Sequence, residues 1–164
     1  MAFGLTEAIA ALLGACATGL FGVFDRRSER ARSRKSLVAE VVAHTTFLTQ
    51  LVRDQGYLTM AEEVAEDTKN EDWNGALLHV MPKGDYLHGL MAASQRAGEL
   101  EPMAASMLVE FVHRSTLFLD STNPDEKYLI NASIDDKRSH AAETLVNIKQ
   151  LLVLGDKLSQ LNDR

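Results

Sequence analysis

Cysteine is almost absent from the chain. Cys16 is the single one in 164 residues, so no disulfide can close within the molecule, and no Cys/His spacing suited to zinc exists. Helix breakers are missing over a long stretch: between Gly22 and Gly56 there is neither glycine nor proline, so one helix can run through the whole interval. No basic side chain precedes Arg26, and a secretory signal peptide needs a basic segment ahead of its apolar core. There is no glycine-rich phosphate loop, no G-x-S-x-G elbow and no His-Glu-x-x-His pair, which removes the common nucleotide, hydrolase and zinc-protease motifs. Strand-like alternation, internal repeats and low-complexity tracts are also missing.

What is present begins with an apolar run from Leu5 to Phe24, whose one charge is Glu7. About 17 to 25 apolar residues suffice to cross a bilayer as a helix. Six basic residues follow at once: Arg26, Arg27, Arg30, Arg32, Arg34 and Lys35. Such a flank marks the cytoplasmic side. The junction predicts a retained single-pass anchor, N-terminus outside and C-terminal domain in the cytoplasm. Residues 1–35 carry a net charge of +3, and the total is −6, so residues 36–164 carry −9. A body so acidic lacks the basic face that nucleic acid requires. Anionic lipid head groups are the expected partner of the basic collar, at up to about 1 kcal/mol per residue. Leu13-Gly14-Ala15-Cys16 has the look of a lipoprotein cleavage box, which makes lipidation of Cys16 an alternative. The apolar residues 17–24 beyond it and the missing basic segment oppose that. Burial of the run inside a soluble or virion component is a further alternative. An interfacial helix is disfavoured because the run is apolar all round.

Small residues in the run are ordered. Ala11, Ala15 and Gly19 are spaced by four, as are Gly14, Thr18 and Gly22. Such rows let membrane helices approach closely and predict self-association through this face. Glu7, only two residues into the run, is expected at the outer interface. Deeper in the membrane it would suggest a pore or proton path.

Beyond the collar the apolar series Leu37, Val41, His44/Thr45, Leu48, Leu51/Val52 keeps three-four spacing, so one helix is predicted from the membrane to about Asp54. About 50 residues at 1.5 Å each would span about 75 Å. The stripe must bury itself against the body or against another copy of itself. Gly56 breaks the pattern, and Leu58 to Asp67 reads as a second helix with an acidic side. Residues 68–76 read as a loop in which Trp73 covers the body. Pro82-Lys83-Gly84-Asp85 reads as a turn with a helix cap, followed by a helix from Tyr86 to Ala97 that Gly98 ends. Pro102 suits a helix start. Met103 to Leu119 then presents Met107, Leu108, Phe111, Val112 and Phe118, and Ser121-Thr122-Asn123-Pro124 closes it. A last helix runs from near Asp135 to about Leu161, with Ala141, Leu145, Ile148, Leu152 and Leu158 on one face. Asp135 and Asp136 in its first turn favour the helix dipole. The predicted fold is all-α: a transmembrane anchor (1–24), a basic collar and helical stalk (25–55) and a cytoplasmic bundle of four or five helices (56–164).

Chemistry-bearing constellations are few. Glu110-x-x-His113 matches the spacing of di-iron bundles, but such a site needs a second Glu-x-x-His, and none exists. Glu40 and His44 are one turn apart, the spacing of a local contact. His44, beside the apolar stripe, could also act as a pH-sensitive packing residue. His79, His88 and His140 have no neighbour at metal-ligand spacing. No cofactor, metal or catalytic residue is expected.

The order of segments (apolar span, Arg-rich collar, Leu37-Val-Ala-Glu-Val-Val, the turn at Pro82, Gly98-Glu-Leu-Glu-Pro102, an apolar helix and a long final one) resembles a loose group of small single-pass bacterial and prophage membrane proteins. The likeness covers nearly the whole chain and rests on pattern. It implies the topology and carries over no catalytic residue. The functional expectation is a non-enzymatic scaffold or adaptor, homo-oligomeric through span and stalk, that presents its bundle to a cytoplasmic protein partner. The alternatives are a membrane-perturbing or pore-forming effector in defence or superinfection exclusion, and a structural part of a virion or larger assembly.

Overall fold

The computed structural model describes residues 3–80, 87–123 and 127–161, with side chains at 26–80, 87–123 and 129–161. The elements among them are all helical: α1 (Phe3–Asp54), α2 (Tyr57–Asp67), α3 (His88–Gln95), a 3-10 turn (Ala97–Glu99), α4 (Pro102–Ser121), α5 (Lys127–Ile130) and α6 (Ile134–Ser159). The chain divides into two compact units, Met1–Ser36 and Leu37–Arg164. In the first, the backbone is helical from Phe3 onward, and Arg26, Arg27, Arg30, Arg32 and Lys35 are exposed while Arg34 is half-buried. The side chains at residues 3–25 lie outside the described ones. That places Glu7, Cys16 and the small-residue rows (Ala11, Gly14, Ala15, Thr18, Gly19, Gly22) beyond structural description. The turn at Pro82 to Asp85, Tyr86 and Pro124 lie there too.

The second unit is a helical bundle built on the expected punctuation. Gly56 has φ +68, the left-handed region that L side chains avoid. Its N–H donates to the Arg53 carbonyl at 2.9 Å, ending α1 where the pattern breaks. Pro102 occupies the start of α4, where its missing N–H costs nothing. The Ser133 hydroxyl accepts from the Asp136 N–H at 3.1 Å and donates to the Asp136 carboxylate at 2.6 Å, a reciprocal cap for α6. Trp73 is buried in the loop after α2. That loop is tied down from α6, where Arg138 donates to the carbonyls of Thr68 (2.8 Å) and Asn70 (3.3 Å). The Val80 N–H donates to the Thr122 carbonyl at the end of α4 (2.9 Å).

Two boundaries differ from expectation. The helix predicted from Tyr86 to Ala97 is described from His88 and ends at Gln95, giving way to the 3-10 turn that contains Gly98. Positive φ is confined to Gly56 and Gly75 among the described residues, so the helix tightens to its end rather than closing on a left-handed glycine. The single turn α5 carries no periodic signal and was not foreseen.

The apolar stripe of α1 is buried in this same unit. Leu37, Val41, Thr45, Leu48 and Val52 are at most 1 % exposed. They join a core with Leu90 of α3, Leu108, Phe111 and Phe118 of α4, and Ile148, Leu151 and Leu158 of α6. Of the two burial modes open to the stripe, the body takes it. Residues 37–54 are therefore a core helix rather than a free stalk. Two buried threonines interrupt the stripe without penalty, because the Thr45 hydroxyl donates to the Val41 carbonyl (2.6 Å) and that of Thr49 to the Thr45 carbonyl (2.7 Å). The contact with α6 is close. A Cβ added at Gly155 would lie 2.1 Å from Thr49 Oγ1 and 3.1 Å from Phe111 Cε2. The contact with α3 is close as well: a Cβ at Gly89 would lie 2.3 Å from the His44 ring. Arg53 and Asp156 join α1 to α6 at 2.7 Å across the surface.

Candidate binding cleft between helices α4 and α6

Helices α4 and α6 run antiparallel. His140 meets Ser121 near one end of the pair, and Asn147 meets Arg114 further along. Helical spacing then sets Leu117, Asp120 and Ser121 on α4 opposite His140, Glu143, Thr144 and Asn147 on α6. These residues, with Leu129 of α5, line a cleft of about 400 Å³. It adjoins a second lobe of about 320 Å³ bordered by Arg114, Ala142 and Val146. Behind it, a cavity of about 10 Å³ shares Ser121, His140 and Thr144 with the cleft and reaches Ala61, Val64, Leu77 and Leu78.

The hydrogen bonds define what each wall offers. His140 Nε2 lies 2.9 Å from the Ser121 carbonyl. A carbonyl only accepts, so Nε2–H is the donor of this bond. Asn147 donates to the Arg114 carbonyl (3.0 Å) and accepts from the Arg114 guanidinium (3.4 Å). Arg114 is also held by Glu110 at 3.0 Å. Asp120 and Glu143 are exposed at the mouth, and Leu129 is buried. Thr144 is 5 % exposed, and its hydroxyl oxygen is buried with no hydrogen-bond partner. Among the described residues no other buried side-chain oxygen or nitrogen is left without a partner. The hydroxyls of Thr45, Thr49, Ser115, Thr116 and Thr122 each fold back on the carbonyl four residues earlier.

The residues singled out by spacing take other roles. Glu110 accepts from Arg114, and His113 is exposed. Among the described residues no group of three His, Cys, Asp or Glu side chains is placed to hold a metal ion. Glu40 faces Arg96 of the α3 end at 3.5 Å rather than His44. Arg96 is chelated by Glu99, and that hydrogen bond raises its pKa above the ordinary value. The charges of Glu99 and Glu40 act the same way, and burial opposes them. His44 is half-buried, with its ring against Gly89. His79 is exposed. Sequence reasoning missed the cleft because Asp120 and His140 are brought together only by the antiparallel pairing of two helices. Its one local signal is a threonine, Thr144, beside Ala141, Leu145 and Ile148.

Among the residues whose side chains are described, which begin at Arg26, no helix is long and apolar enough to cross a membrane. No protein-family model, no curated protein and no solved structure matches the chain.

Proposed function

We propose that the protein is a non-enzymatic single-pass membrane protein that holds a helical bundle at the cytoplasmic face of a bacterial inner membrane and presents it to a protein partner. The observation that carries this reading is the continuity of α1. Its backbone is helical without interruption from Phe3 to Asp54. One element thus contains the apolar run of residues 5–24, the basic collar of 26–35 and the stripe from Leu37 to Val52 that is part of the bundle core. An apolar run with a basic flank is the pattern of an anchor and its cytoplasmic boundary. Self-association then rests on the rows Ala11/Ala15/Gly19 and Gly14/Thr18/Gly22, because the stripe of α1 is engaged within its own chain.

Carbonate extraction of membranes from cells that express the full chain tests the anchor. The protein is expected to stay with the bilayer. Release into the supernatant would contradict an integral location and favour a virion or assembly component. For the association, Gly14→Leu or Gly22→Leu should weaken dimerisation in a reporter of membrane-helix contact, and unchanged dimerisation would sink that part of the proposal.

A further inference from the structure

We infer that the basic collar of α1 is one-sided, and that Arg26, Arg27 and Arg30 together bind the phosphate of an anionic phospholipid head group. The site presupposes the anchor proposed above. It narrows the six basic residues of the collar to three, on grounds of register, engagement and depth.

The backbone is helical through the collar, and each residue of an α-helix advances by about 100°. With Arg26 at 0°, Arg30, Arg34 and Arg27 stand at about 40°, 80° and 100°. Lys35 and Arg32 stand at about 180° and 240°, and the positions of Asp25 and Glu29 at about 260° and 300°. Arginines alone therefore carry the charge on one face, and no acidic position falls among them. The other two cations share their side of the helix with both acids, so that side is close to neutral. The net charge of +3 over residues 1–35 averages these two sides and understates the arginine face.

Arg26, Arg27 and Arg30 are exposed, and no carboxylate among the described residues holds any of them. The arginines of the bundle are committed within the chain: Arg53 to Asp156, Arg96 to Glu99 and Glu40, Arg114 to Glu110, and Arg138 to Asp135. Arg34 is half-buried and already has a partner, which leaves it out of the site. Guanidinium forks fit phosphate oxygens two at a time, and they remain charged at any physiological pH.

Arg26 comes two residues after Phe24, the last of the apolar run. From Arg26 to Arg30 the helix rises about 6 Å, and one head-group layer is about 5–8 Å thick. Arg32 and Lys35 stand about 9 and 14 Å beyond Arg26. Depth and register thus select the same three side chains. The ligand is a phospholipid of net negative charge. A zwitterionic lipid has its own ammonium beside the phosphate and competes poorly.

Electron spin resonance of the full-length protein in phosphatidylcholine vesicles tests this, with trace spin-labelled phosphatidylglycerol or phosphatidylcholine as the probe. Lipid in contact with the span gives a motionally restricted component, and the anionic probe should be enriched in it. One arginine near an anionic surface is worth about fivefold, and averaging over the other lipids around the helix leaves an expected preference of about two- to fivefold. Arg26→Gln with Arg30→Gln should abolish most of that preference. Arg32→Gln with Lys35→Gln removes the same charge and should keep most of it. Ser28→Arg with Arg30→Ser preserves the net charge and brings an arginine closer to the membrane, but moves it to about 200°. It should lower the preference. Restricted lipid without anionic preference would overturn the site and leave the anchor standing. So would equal losses from the two charge-matched pairs, or a preference unmoved by the transposition. No restricted lipid of either kind would overturn the anchor, and the site with it.

Discussion

Gly155→Ala measures whether the C-terminal half of α1 is truly a core helix. In an exposed helix this substitution would stabilise, since alanine is about 1 kcal/mol better than glycine there. Here the new methyl would sit 2.1 Å from Thr49 Oγ1, 3.3 Å from Thr49 Cβ and 3.1 Å from Phe111 Cε2. Phe111 is fully buried and Thr49 is 3 % exposed, so neither can swing into solvent. Thr49 could yield only by giving up its hydrogen bond to the Thr45 carbonyl, which leaves a buried hydroxyl unpaired at about 1–3 kcal/mol. If α1 shifts instead, overpacking costs about 1–3 kcal/mol. Set against the gain in propensity, either route leaves a net loss of about 1 kcal/mol. For a chain of this length, that lowers the melting temperature by roughly 2–4 °C. Thermal unfolding of the full-length protein in detergent, followed by circular dichroism, reads it directly. In a Thr49→Ala background the same glycine substitution should cost at least about 1 kcal/mol less, because the two sites are in contact. A neutral or stabilising Gly155→Ala would refute the packing of α1 on α6. The stripe from Leu37 to Val52 would then have to be buried some other way.

Other outcomes follow from the same packing. Gly89→Ala places a methyl 2.3 Å from the His44 ring. Because a half-buried ring can turn aside, the loss should be near 1 kcal/mol and should disappear with His44→Ala. Thr144→Val should raise stability by about 1 kcal/mol, since it removes an unpaired buried hydroxyl at nearly constant volume. Thr49→Val, which deletes a satisfied one, should lower it, and urea midpoints of the two variants should therefore move in opposite directions. Ser133→Ala removes the cap of α6 and should cost about 1 kcal/mol by the same measurement.

The parts of the fold legible in the sequence are those that single residues dictate locally. Gly56 ends α1, Pro102 opens α4, Ser121 and Thr122 close it, and Asp135 and Asp136 mark the first turn of α6. Each acts through its own backbone or its own side chain, so three or four neighbouring letters suffice. The stripe from Leu37 to Val52 was legible as a buried face, but what buries it was not. Leu90, Phe111 and Ile148 are supplied by distant segments, and two burial modes share one periodicity. Thr45 and Thr49 illustrate the same gap. Threonine in an apolar stripe reads as a flaw until the hydroxyls are seen to bond within their own helix, and until Gly155 is seen to need the small side chain opposite it. The cleft was not legible at all. Asp120, His140 and Thr144 become neighbours through the antiparallel pairing of α4 and α6, and no local spacing encodes that. His140 looked isolated because its partner, the Ser121 carbonyl, belongs to the backbone of another helix.

Cys16 allows the central claim, that α1 serves as both anchor and core helix, to be tested at one atom. It is the single thiol of the chain and lies near the middle of the apolar run from Leu5 to Phe24. Twenty residues at about 1.5 Å each match a hydrocarbon core of about 30 Å. The full-length protein would be labelled at Cys16 with a fluorophore in detergent, reconstituted into vesicles and exposed in turn to lipids carrying quenchers deep in their acyl chains and to aqueous iodide. The anchor predicts strong quenching by the deep lipid quencher and little by iodide. Ready quenching by iodide with none by the lipid would contradict it.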